Sequence, residues 1–478
     1  MSRHQEETTA WLPDLIYTGG RFERGLALVC DPQGRIVRLA RETDGAGKVI
    51  RLKDRAVLPG MVNAHSHAFQ RVIRGRTEYR TGGRGDTFWT WREMMYSAVA
   101  GLTPEDIYDA SRMAFLEMVT GGITAVGEFH YLHRTPDGTP YDDPNLLAKE
   151  VIRAARDVGL RIALLRVAYA RSGHRTAPNE RQARFIEPEP ETYLRHLERL
   201  RADLDRAEDA ETAWAGLAPH SVRSVPLDYL RDVIRYAGEH GLPVHMHVAE
   251  QPAEIEACVE EYGRTPVTLL ADEGLLSHRF TGVHGIHITD EEAHALARAR
   301  ATICACPTTE RNLGDGIVPA DVLLAAGVPI ALGTDSQTQI DLLEDARELE
   351  YHLRRRRLRR AVLAGEEADS SKQNPSALAA RLVDGATRWG ARSIGANCGG
   401  LEPGQAADFF TVDLNDPSIA GASSDDLLAG IVFSLARTAV REVFVGGRAV
   451  VEDLRHHAQQ QIIENFSALQ RRLWGEGV

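Results

Sequence analysis

Two His-x-His pairs stand out in the chain. His65-Ser66-His67 closes the apolar run "LPGMVNAHSH", and His245-Met246-His247 lies inside "LPVHMHVAE". In an extended backbone residues i and i+2 share a face, so each pair presents two imidazoles to one side. Imidazole nitrogen is a standard ligand of zinc and its neighbours. With 18 histidines in the chain one such pair could be chance, so the surrounding elements have to decide.

Those elements read as a barrel. Eight apolar runs follow one another between residues 58 and 340: "VLPGMVNAH", "ITAVGEFHY", "RIALLRVAY", "AWAGLAPHS", "LPVHMHVAE", "FTGVHGIH", "ATICACP" and "PIALGTDS". Helix-like stretches separate them. "TPEDIYDASRMAFLEMVTGG" carries Thr103 as an N-cap and Gly121 as a stop, and "PLDYLRDVIRYAGEHG" and "DEEAHALARARA" show helical apolar spacing. Strand–helix repeats of this number predict a (β/α)8 TIM-type barrel over residues 58–390. Residues 1–57 and 391–455 alternate in polarity around Gly turns. They predict antiparallel strands that join into one small β-sandwich domain. The segment 456–478, with "QQQIIENFSALQRRLW", predicts a C-terminal helix.

In such barrels the site lies at the C-terminal ends of the strands. His65 and His67 sit there on the first strand and Glu128 to Tyr131 on the second. The fourth ends in His220, the fifth carries His247 with Glu250 just beyond, the sixth ends in His284 and the eighth in Asp335. Polar groups thus gather at one end of strands chosen by apolar pattern alone. A catalytic metal needs a few N or O ligands and one open position. His65, His67, His247 and Asp335 supply them. His247 is preferred over His245 because it lies nearer the strand end, and His245 reads as a hydrogen-bonded core histidine.

Composition narrows the class. A chain of 478 residues exceeds one small core. Its net charge of −12 argues against nucleic acid as a partner. The run Arg354–Arg360 follows "LLEDARELEYHL" and reads as the solvated face of a charged helix. No stretch reaches the roughly 20 apolar residues of a membrane span. "MSRHQEETTAWLPDLIYTGG" lacks the apolar core of a secretory signal. The five cysteines are scattered, and Cys304-x-Cys306 reads as strand packing. The expectation is a cytoplasmic enzyme with a reduced interior.

At this point the chain resembles the amidohydrolase superfamily: "PGxxNxHxH", the histidines of strands five and six, "GTDS", and "LEPGQAADF" in the flanking β region. Two-metal members bridge their ions with a carboxylated lysine at the end of strand four. The only lysines here are Lys48, Lys53, Lys149 and Lys372, and His220 holds that place, so one metal is expected. Zinc suits the donors; iron or manganese would also fit them.

A finer resemblance, in "HSHAFQR", "FWTWREMMY", "GEFHYLHRTPDG", "APHSVR", "HVAEQ" and "NLGDGI", is to the formimidoylglutamate deiminases of histidine degradation. It implies hydrolysis of N-formimidoyl-L-glutamate to N-formyl-L-glutamate and ammonia. It also implies roles. Asp335 orients water and accepts its proton, Glu250 protonates the departing nitrogen, and His284 supports the attacking water or the tetrahedral centre. Gln70, Arg92, Tyr131, His220 and Arg223 line the substrate pocket. A small-molecule substrate with two carboxylates calls for fixed cations, and Arg92 and Arg223 are those. A homodimer is the habit of the family. Glu310 and Asn312 in "TTERNLGDG" are further contacts of a wall or lid.

Two positions depart from the family's pattern. Gln337 stands where a histidine is expected and Arg311 where a small residue is expected. They leave room for another N-formimidoyl amino acid as substrate. A deaminase of an aromatic heterocycle such as guanine is the rival enzyme reading. A non-catalytic metal-binding barrel is the rival of another class, and the retained Glu250, His284 and Asp335 speak against it.

Overall fold

Short apolar runs bounded by turn residues become sixteen strands in the computed structural model. It describes residues 8–41, 43, 46–79, 87–177, 179–207, 211–365 and 376–475. The first five strands are β1 (Thr9–Thr18), β2 (Arg21–Arg24), β3 (Ala27–Cys30), β4 (Ile36–Ala40) and β5 (Lys48–Pro59). Eight more follow: β6 (Met61–Ser66), β7 (Ile123–His130), β8 (Arg161–Ala168), β9 (Ala213–Pro219), β10 (Val244–Val248), β11 (Phe280–His284), β12 (Thr302–Ala305) and β13 (Ile330–Leu332). The last three are β14 (Phe409–Asp413), β15 (Val440–Val445) and β16 (Arg448–Val451).

Strands β6 to β13 pair in sequence order as one parallel sheet. They are the eight runs anticipated from the sequence. A parallel bridge between Ser66 and Asp335 brings the last strand end back to the first. There the Asp335 N–H donates to His65 O at 3.0 Å and the His67 N–H to Asp335 O at 3.0 Å. Gly333 permits this approach, since a Cβ on it would lie 2.9 Å from the His65 carbonyl oxygen. Closure therefore sets two histidines and a carboxylate side by side.

Helices cover the sheet, so its strands are buried on both faces and read as continuous apolar runs. The helix Pro104–Thr120 begins at Thr103, whose side chain and Asp106 form a reciprocal capping box, and it stops at Gly121. The helices Leu227–His240 and Asp290–Ala299 fall where the apolar spacing put them. The C-terminal helix Gln459–Trp474 packs against Pro104–Thr120.

The strands from both chain ends join in one mixed sheet, in the order β16-β15-β14-β5-β1-β3-β4 with β2 on β1. Trp11, Phe409 and Phe444 pack at its centre, the two phenylalanine rings stacked at 4.4 Å. The expectation of purely antiparallel strands needs correction: β1 and β5 are parallel. Local turns dictate the hairpins β1–β2 and β3–β4. The long β5 instead lies between β1 and β14, a strand from the far end of the chain.

The arginine run is solvent-exposed from Arg355 to Arg360, as expected of a charged face. The helix Leu342–Arg357 stops inside it, at Leu358 with φ 53°. Arg354 pairs with Glu350 and Arg357 with Asp321.

Candidate active site

The two imidazoles at the end of β6 meet one from β10. His65 Nε2 lies 3.2 Å from His67 Nε2 and 3.2 Å from His247 Nε2. The Asp335 carboxylate joins them, 3.2 Å from His67 Nε2 and 3.5 Å from His65 Nε2. All four residues are buried. The far nitrogens of two rings are fixed: His67 Nδ1 donates to Phe129 O at 2.9 Å and His247 Nδ1 to His220 O at 3.2 Å. That tautomer turns the Nε2 lone pairs toward one another and toward a carboxylate. Acceptors converging in this way repel unless a cation sits among them. The donor set therefore fits a single metal ion of zinc type.

His245, two residues earlier on β10, is turned away. Its Nε2 donates to Ser393 O at 2.9 Å, and burial pushes its pKa down to about 4. It is the core histidine anticipated from the sequence.

Beside the cluster stand Glu250 and His284. His284 Nε2 lies 3.7 Å from Glu250 Oε1 and 3.8 Å from Asp335 Oδ2. Burial raises the Glu250 carboxyl above the ordinary glutamate range, against the lowering effect of His284. Ala249, His284 and Asp335 all hold positive φ, at 54°, 74° and 46°. Left-handed backbone at non-glycine residues costs roughly 1–3 kcal/mol each and is concentrated at functional sites.

These groups open onto a cavity with about 560 Å³ of empty space. The five residues expected to line a substrate pocket all border it: Gln70, Arg92, Tyr131, His220 and Arg223. Gln70 Nε2 donates to the Tyr131 hydroxyl at 2.9 Å. Arg92 lies on the helix Phe88–Val99 and stacks on Trp89, its guanidinium carbon 4.4 Å from the ring centroid. Arg223 approaches the same ring at 5.6 Å. Neither arginine forms an ion pair with a carboxylate of the described residues, and the Nε of each is buried without a partner. Burial and the neighbouring Arg223 push His220 well below its usual pKa, so it is neutral.

The aromatic walls were not anticipated: Phe88, Trp91, Tyr96, Tyr169 and Phe185 also border the cavity. The density of rings in "FWTWREMMY" signalled the first three. Phe185 comes from a loop with no signal of its own.

Four of the residues singled out in the sequence do not line this cavity. Gln337 is fully buried and points away from the cavity, its Nε2 donating to Ser66 Oγ at 2.7 Å and its Oε1 accepting from Thr334 at 2.9 Å. Of the two places open to Arg311, facing solvent or adding a cation at the pocket mouth, it takes the first, with its side chain 41% exposed and paired with Glu348 at 3.0 Å. Glu310 does not border the cavity; it is buried behind His284. Asn312 borders a neighbouring cavity that shares Trp91 and Leu313 with the first, and its side-chain nitrogen donates to Glu78.

Comparison with known proteins agrees with this architecture. The model of the amidohydrolase family matches residues 56–450. Formimidoylglutamate deiminase of Pseudomonas aeruginosa is 40% identical over 412 residues, covering 86% of this chain and 88% of that one. A 5-methylthioadenosine/S-adenosylhomocysteine deaminase of Natronomonas pharaonis is 30% identical, covering 83% and 81%. Among solved structures, an amidohydrolase from Brucella melitensis superposes with a TM-score of 0.87 at 34% identity, covering 98% of this chain and 99% of that one. A zinc-bound adenosine deaminase from Xanthomonas campestris, at 21% identity and a TM-score of 0.81, covers 97% and 98% and shares the fold. Among the described residues no helix is long and apolar enough to cross a membrane.

Proposed function

The chain belongs to the amidohydrolase family and is a hydrolase acting on C–N bonds; we propose that its substrate is N-formimidoyl-L-glutamate, hydrolysed to N-formyl-L-glutamate and ammonia in the breakdown of histidine. The observation that carries this reading is the pair Arg92 and Arg223, two cations that form no ion pair among the described residues and that line the cavity beside His65, His67, His247 and Asp335. A substrate with two carboxylates would neutralise both through paired N–H···O bonds. A flat neutral base would leave them buried and uncompensated, which is costly. The relative at 40% identity supports the same substrate.

His65, His67, His247 and Asp335 would hold one zinc ion, which when bound makes water nucleophilic near neutral pH and polarises the reacting group. The remaining steps belong to the chain's own side chains. Asp335 accepts the proton of the water that adds across the C=N bond. Glu250, whose carboxyl burial raises above the ordinary glutamate range, delivers a proton to the terminal nitrogen. His284 stands between the two carboxylates and hydrogen-bonds the oxygen of the tetrahedral centre. Asp335 returns its proton to the amino nitrogen as Glu250 takes the hydroxyl proton, so that breaking the carbon–nitrogen bond releases ammonia, leaves the formyl group and restores both carboxyl groups. Gln70, Tyr131 and His220 also line the cavity, His220 beside Arg223.

The test is ammonia release by zinc-loaded protein with N-formimidoyl-L-glutamate, N-formimidoyl-L-aspartate and guanine in parallel. The glutamate compound is expected to be the preferred substrate, with N-formyl-L-glutamate as the second product. Preference for guanine would overturn the role of the arginines. Preference for the aspartate compound would overturn the chain length of the substrate.

A further inference from the structure

Glu310 belongs to the helix Pro307–Leu313, which follows β12, and is only 1% exposed. A carboxylate removed from water needs a reason. One oxygen has two donors: Glu310 Oε1 accepts from the Cys306 N–H at 2.8 Å and lies 3.3 Å from His284 Nδ1. On the other side of the His284 ring the carboxylates of the described residues stand farther off. Its Nε2 is 3.7 Å from Glu250 and 3.8 Å from Asp335, beyond hydrogen-bond length.

The mount around Glu310 is stiff. Thr309 Oγ1 donates to Thr334 O at 3.1 Å and accepts from the Ser336 N–H at 3.2 Å, tying this loop to the end of β13. Thr308 is bound to the buried Asp345 through its N–H at 3.0 Å and its hydroxyl at 2.8 Å. The backbone of His284 is left-handed, so the strand itself gives its ring no ordinary rotamer support.

We propose that Glu310 is a positioning residue. It holds His284 with a proton on Nδ1 and aims Nε2 between Glu250 and Asp335, and the Cys306 N–H keeps the accepting oxygen in place. The inference rests on the catalytic place given to His284 above. It assigns a role to the segment after the seventh barrel strand, which contributes none of the four residues of the His65, His67, His247 and Asp335 cluster.

The geometry discriminates between two substitutions. In Glu310→Gln the Cys306 N–H still selects the amide oxygen, so His284 Nδ1–H keeps its acceptor. In Glu310→Leu both donors lose it. For Glu310→Leu, kcat is expected to fall by about 10- to 100-fold, the size seen when residues that orient functional histidines are removed. KM and bound metal should hold, and Glu310→Gln should recover most of kcat. A second measurement needs no substrate: 15N spectra of histidine-labelled, metal-loaded protein, with the His284 signals assigned through His284→Asn. Nδ1 should stay protonated in the wild type and in Glu310→Gln, and lose proton occupancy in Glu310→Leu. An unchanged Nδ1 signal in Glu310→Leu overturns the proposal, as does an equal loss of kcat in both variants. Because the spectra do not depend on turnover, an inactive wild type with the glutamate substrate would count against the substrate and leave Glu310 separately tested.

Discussion

Arg92 and Arg223 lie against the same indole. Their guanidinium carbons are 4.4 and 5.6 Å from the Trp89 ring centroid, although the two residues are far apart in sequence. The face of an aromatic ring attracts both cations. Hydrogen bonds to charged groups contribute roughly 1.5–3 kcal/mol. Arg223→Met should therefore raise KM for N-formimidoyl-L-glutamate by roughly 10- to 100-fold. An analogue with a single carboxylate should lose much less. Steady-state kinetics on both compounds decide it; equal losses would remove the arginine from carboxylate binding.

The two histidines of β10 should part company on substitution. His247 Nε2 faces His65 at 3.2 Å, whereas His245 is bound to Ser393 O. His247→Ala should bind no metal after dialysis and show no turnover. His245→Asn should retain about one metal per chain and lose only stability, by about 1–3 kcal/mol for the orphaned carbonyl. Metal analysis of the purified variants reads this directly. Two ions per wild-type chain would contradict the single-metal reading.

Gln337 fastens the loop after β13 to the end of β6 through Ser66, which in turn donates to Glu128 at 2.6 Å. Gln337→Ala should cost about 1–3 kcal/mol of stability by stripping partners from buried groups. The ratio of kcat/KM between the glutamate and aspartate compounds should stay the same. A changed ratio would show that the position governs specificity after all.

Glu254 accepts the Glu250 N–H at 3.1 Å, and burial pushes its carboxyl from 4.5 up to about 7. Between those values the unfolded chain gives up the proton and the folded chain keeps it. Stability from this group therefore falls as pH rises from about 4.5 to about 7 and then levels off, a total of about 3 kcal/mol. Glu254→Gln keeps the acceptor and cannot ionise. Its advantage over the wild type in urea unfolding should be absent near pH 4 and full above pH 7. A constant difference across this range would mean that Glu254 ionises normally in the fold.

The sequence by itself determined the strands, several helix ends and the polar residues that cap the strands. These follow from neighbours: apolar period, the Thr103 cap, turn glycines, and i, i+2 spacing that sets His65 and His67 on one face. The family motifs are local in the same sense, so the amidohydrolase reading and the candidate ligands could be drawn from short stretches. Only the tertiary structure decided what faces what across the barrel. The parallel pairing of β1 with β5 depends on β14, more than 300 residues away. The inward turn of His247, the outward turn of Gln337 and the pairing of Arg311 with Glu348 depend on how loops meet after closure. Glu310 shows the limit most plainly. The sequence marks it only as a contact of a wall or lid, and it meets His284, at 3.3 Å, because β11 and β12 lie next to each other.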